Sequence, residues 1–119
     1  MAKIKIVSII NEQKNFYNGI KNKNSIIYKE NDILVHINYD DDISITRENK
    51  DYKITLNFNK NEKTKIKYTL KEYNKYLELE LITKNIKVTN NSIDISYKII
   101  DNNEQNINFR LEFEEIVWI

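Results

Sequence analysis

The sequence has no cysteine, no proline, one glycine, one histidine and one methionine in 119 residues. Without cysteine there is no disulfide framework, no thiolate nucleophile and no iron–sulfur ligation, and a single histidine cannot complete a Cys/His zinc site. The lone glycine, Gly19, excludes glycine-rich phosphate cradles and nucleophile elbows built on glycine. Neither sign of charge dominates. Lys and Arg number 19 against 18 Asp and Glu, and a net charge of +1 argues against a general polyanion binder and so against nucleic acid. No apolar run approaches the roughly 20 residues of a membrane-spanning helix. The N-terminus alternates from Lys3 onward without the apolar core of a secretory signal. The expectation is therefore a cytoplasmic protein with no membrane association.

What is present is a globular composition, 40% hydrophobic and 31% charged, on a chain the size of one domain spanning residues 1–119. Isoleucine (22), asparagine (19) and lysine (17) make up close to half of it, whereas arginine occurs twice. All three abundant residues have AT-rich codons, so the bias reads as the mark of an AT-rich bacterial genome and not as a prion-like feature. Asparagine takes over turn positions that glycine would otherwise occupy, because it tolerates the left-handed region better than other residues with a side chain.

The dominant period is two. Ile54, Leu56 and Phe58 alternate with polar residues, as do Ile66, Tyr68 and Leu70, then Leu77, Leu79 and Leu81. Ile93, Ile95, Tyr97 and Ile99 form a fourth such set, and Ile107, Phe109, Leu111 and Phe113 a fifth. Each is a strand with one dry and one wet face. Residues 3–10, 24–29, 33–39 and 43–47 add further strands, separated by polar turns such as Glu30-Asn31-Asp32 and Asp40-Asp41-Asp42. Residues 11–18 and 70–76 are the only helical candidates. The pattern predicts an all-β domain, a single antiparallel barrel of eight or nine strands in mostly meander order, with a two-sheet sandwich as the alternative.

From residue 64 onward the order of features resembles a known group. Residues 64–71 (TKIKYTLK), 77–86 (LELELITKNI), 93–97 (IDISY) and 103–113 (NEQNINFRLEF) are similar to the YwiB-like family of small bacterial calycin-type barrels. The chain departs from the family at Tyr73-Asn74, where members tend to carry glycine, and in its bulkier isoleucines. The resemblance implies a lipocalin-like barrel, a cytoplasmic setting, no cofactor and no assigned activity.

Candidate chemistry is sparse. His36 alternates with Val35 and Ile37 and so points to solvent, and no serine sits on a turn suited to a nucleophile. Asp40-Asp41-Asp42 lacks the alternate ligand spacing and glycine of a calcium loop, so no metal site is assigned. Glu78 and Glu80 share a strand face, but Lys65, Lys67 and Lys71 on the preceding strand offer them ion pairs. That lysine row, joined by Lys53, is the best basic patch, and it lacks interleaved aromatics for stacking bases. No catalytic residue is assigned, and an enzyme is not expected.

Two sites remain. Tyr39, Tyr52, Tyr68 and Tyr97 fall on the apolar faces of their strands, and four inward hydroxyls either satisfy one another or line a pocket for a small apolar or amphipathic ligand. The apolar C-terminal end, Val117, Trp118 and Ile119, is a candidate interface for a homodimer or another protein. A ligand-binding barrel and a filled, self-assembling or protein-interacting barrel are the two functional readings. An internal cavity or an exposed apolar patch separates them.

Overall fold

A computed structural model of the chain describes residues 1–101 and 104–116. Ten strands follow one another: β1 (Ala2–Ile10), β2 (Gln13–Asn22), β3 (Ser25–Glu30), β4 (Ile33–Tyr39), β5 (Ile43–Glu48), β6 (Tyr52–Phe58), β7 (Lys63–Leu70), β8 (Lys75–Val88), β9 (Ser92–Ile100) and β10 (Gln105–Glu115). Each pairs antiparallel with the next, and β10 returns to pair with β1, so the meander closes into a barrel. Among the described residues there is no helix. Closure removes the open edges that two packed sheets would have kept.

The strand count exceeds the expected eight or nine because β2 occupies the segment read as a helical candidate. Its sequence, QKNFYNGIKN, places Phe16 and Ile20 outward and gives the inward parity Tyr17, Gly19 and Lys21, so no apolar period of two is visible. Its partner specifies it instead: β1 pairs with it along its full length, from Ala2 opposite Lys21 to Ile10 opposite Gln13. Asn11 and Glu12 both adopt positive φ, 48° and 72°, as a two-residue hairpin turn whose twist matches its strands requires. The second helical candidate is a turn over residues 71–74. Four of the six non-glycine residues with positive φ are asparagines, Asn11, Asn31, Asn61 and Asn74, consistent with their expected turn duty.

The inward residues form one core, with Ile4, Ile26, Ile37, Leu81, Ile93 and Leu111 fully buried. Burying each such side chain contributes about 1.5–3 kcal/mol. In β8 a bulge between Thr83 and Asn85 changes the parity. Leu81 and Thr83 face inward before it, Ile86 and Val88 pair with inward Ile95 and Ile93 after it. The loop after β6 clamps this irregularity, with Asn61 N donating to Thr83 O at 2.9 Å. The Thr83 hydroxyl is buried without a hydrogen-bond partner among the described residues.

Two strands run past their neighbours at the end that carries the β1–β2, β5–β6 and β7–β8 turns. Pairing of β2 with β3 covers only Gly19 to Asn22, which leaves residues 13–18 bonded to β1 alone. Pairing of β8 with β9 begins at Glu80, which leaves residues 75–79 paired with β7 alone among the described residues. These overhangs belong to a molecule whose longest dimension is 51 Å.

Candidate functional site

Of the four tyrosines singled out by alternation, Tyr39 stands apart from the others. Tyr39 lies at the end opposite the overhangs, with its ring 6.4 Å from that of Phe113 and its hydroxyl donating to Lys23 O at 3.4 Å. Tyr97 packs edge-on against Phe58 at 4.9 Å between ring centroids. Tyr52 and Tyr68 stack at 5.7 Å with planes 10° apart, at the overhang end of the barrel. Burial pushes the Tyr39 and Tyr97 phenols above their ordinary range.

A polar cluster that alternation did not flag lies near the stacked pair. Arg47 of β5 shares the inward parity of Ile43 and Ile45, and Glu30 of β3 that of Ile26 and Tyr28. The two meet in a bidentate ion pair, Nη1 to Oε1 at 2.9 Å and Nη2 to Oε2 at 2.7 Å. The Tyr28 hydroxyl donates to Glu30 at 3.3 Å, and the Tyr17 ring lies tilted over Tyr28 at 5.2 Å. The hydrogen bonds that Arg47 donates to Glu30 hold it more firmly charged. Desolvation first, and then the Glu30 charge, pushes the Tyr28 and Tyr17 phenols up. The signal available in the sequence was charge on a strand's apolar parity.

The β7–β8 hairpin is the other unusual feature. Leu77 pairs with Tyr68 and Leu79 with Ile66, so both leucines continue the inward face. Because β9 ends short of them, they are 65% and 42% exposed. Tyr68, Leu70, Lys75 and Leu77 line a concavity of about 440 Å³ on this arm. Across its outer face Lys65 pairs with Glu78 at 3.1 Å, and Lys67 sits 5.0 Å from the ring centre of Tyr76. Of the expected ion pairs with Glu78 and Glu80, Lys65–Glu78 is the one formed among the described residues, and Lys71 reaches Glu48 instead, at 2.7 Å.

The remaining candidates stay apart. His36 lies outside the barrel and hydrogen-bonds Ser25 Oγ at 2.7 Å, away from the Asp40-Asp41-Asp42 turn, where Asn24 donates to Asp40 at 3.3 Å. Among the described residues no group of three or more acidic or histidine side chains is placed to hold a metal ion. Val117, Trp118 and Ile119 lie outside the described residues.

No protein-family model matches the sequence, and no curated protein matches it. The fold does have a solved counterpart: the structure is similar to the crystal structure of the ywiB protein from Bacillus subtilis, with a TM-score of 0.61 and 16% identity. The likeness covers 97% of this chain and 91% of that one, so the two share the barrel from end to end.

Proposed function

We propose that the protein is a non-enzymatic, cytoplasmic interaction module of YwiB-like type, whose barrel interior is a structural core and whose working surface is the β7–β8 arm. One observation carries this reading. Leu77 and Leu79 continue the inward face of the barrel yet stand in solvent, on a stretch of β8 that among the described residues pairs with β7 alone. Leucines at 65% and 42% exposure on a strand that pairs on one side among the described residues are what strand addition by a partner uses. In support of a structural interior, Tyr97 packs on the buried Phe58, while Tyr52 stacks on Tyr68 at the end of the barrel.

The test is photo-cross-linking in the host cell with a benzoylphenylalanine at position 77, and at the exposed Lys53 as control. Protein adducts at 77 and none at 53 are expected. Bare monomer at both positions defeats the interaction reading.

A second reading, a small amphipathic ligand in the barrel, draws support from the half-buried Glu30–Arg47 pair and its surrounding tyrosines. Native mass spectrometry of gently purified protein tests it. A reproducible small-molecule adduct lost in Tyr68→Phe or Tyr97→Phe favours it, and a clean apo mass counts against it.

A further inference from the structure

Resting on the interaction reading, we infer that the partner of the free β8 edge is a second copy of this chain, joined antiparallel through residues 75–79 about a two-fold axis at Leu77. On one side these residues pair with β7, and among the described residues no strand pairs with them on the other. A closed barrel otherwise hides such edges, so this five-residue stretch is a template for one added strand.

Symmetry and the available length fix the register. Two copies sharing one sheet about a perpendicular two-fold keep inner faces on the same side, so opposed residues have equal parity. Overlap of the free stretch is complete only when Leu77 opposes Leu77, which sets Lys75 opposite Leu79 and Tyr76 opposite Glu78. Moving the axis to Glu78 sets Lys75 against Leu81, which already pairs with Ile99. Moving it to Tyr76 sets Leu79 against Tyr73, inside the turn.

The side chains in that register complement one another. On the inner face the central row across four strands reads Tyr68, Leu77, Leu77, Tyr68, an unbroken apolar ladder built from a pair present in each monomer. On the outer face each flanking row reads Lys67, Glu78, Tyr76, Thr69, so a carboxylate lies between a lysine and a phenol in both halves. No two like charges oppose one another. The second overhang, residues 13–18 of β2, has no such row, since its inward Tyr17 already packs on Tyr28 and Phe16 stands outward among Gln13, Lys14, Asn15 and Asn18. A junction this short belongs to the small, weakly associating class of interface.

Sedimentation velocity of the purified chain over a hundredfold range of concentration tests the inference. Wild type is expected to pass from monomer to dimer within the range. Leu77→Lys and Leu77→Glu, at a position already in solvent, should each keep the native β circular dichroism and sediment as monomers. An equimolar mixture of the two should recover the dimer, because only a self-opposed position sets lysine against glutamate. A wild type that stays monomeric throughout, variants that dimerise like wild type, or a mixture that stays monomeric each overturns self-pairing. Cellular adducts at position 77 alongside a monomeric purified chain would reject the second copy and leave the interaction reading standing. Absence of both would reject the two together.

Discussion

Arg47 and Glu30 meet end-on inside the barrel, two strands apart, with both guanidinium Nη atoms within 2.9 Å of the carboxylate oxygens. They reach across β4, where Val35 stands between Arg47 on one side and Tyr28 on the other. Glu30 also accepts from Tyr28, so one carboxylate organises an arginine and a phenol on the inner wall. Both charged side chains are largely withdrawn from water, at 28% exposure for Arg47 and 14% for Glu30. A charge pair in that setting is worth little against an apolar replacement of equal volume, but each half is costly without the other.

Arg47→Ala should therefore destabilise the barrel by about 2 kcal/mol, below the range for a fully buried pair because water still reaches the guanidinium. Most of the loss comes from the stranded Glu30 carboxylate, so adding Glu30→Gln to the alanine variant should recover part of it. Urea unfolding of wild type, the single and the double variant measures both steps. A single variant within about 0.5 kcal/mol of wild type would show that the pair is not structural.

Much of this architecture was legible in the sequence, and the exceptions have physical causes. The strands from Ile33 to Glu115 announced themselves because each buries one face and wets the other, and period two records that division. In β2 the division fails: among the described residues no second strand pairs with residues 13–18 and Phe16 turns outward, so the strand is set by pairing with β1 and not by its own pattern. The Glu30–Arg47 pair was missed because parity was read from apolar residues alone, although Arg47 continues the parity of Ile43 and Ile45. Leu77 and Leu79 were read as a dry stripe. They are wet because β9 stops before them, which depends on relative strand length and not on either strand's sequence.

Gly19 is the only glycine, and packing explains why it is there. It stands opposite both Ile4 and Tyr28 on the inner face. A Cβ there would lie 2.7 Å from Ile27 O and 2.7 Å from Ile6 Cδ1. The isoleucine methyl can rotate away, but the carbonyl belongs to the β3 backbone and cannot move without disturbing the ladder. Gly19→Ala should cost about 1–3 kcal/mol, despite the higher strand preference of alanine. Thermal unfolding measures it, and a variant as stable as wild type would mean that β2 and β3 separate more freely than their pairing implies.

Alkaline pH should unfold the protein through its tyrosines. Tyr17, Tyr28, Tyr39 and Tyr97 all have their phenol pKa raised, with desolvation the largest cause in each, and Glu30 adds to it for Tyr17 and Tyr28. The folded state thus holds these protons more tightly than the unfolded chain, whose phenols release theirs near pH 10. Their contribution is intact below about pH 10 and is lost as the pH rises beyond it, because only the unfolded state gains by ionising. The thermal midpoint should fall above that pH, and part of the tyrosinate absorbance should appear together with loss of the β circular dichroism. Tyr28→Phe gives up the hydroxyl contact with Glu30 at neutral pH but should flatten the alkaline fall, since it removes the most strongly shifted group. Complete ionisation of all eight tyrosines with the β signal unchanged would contradict the burial of these rings.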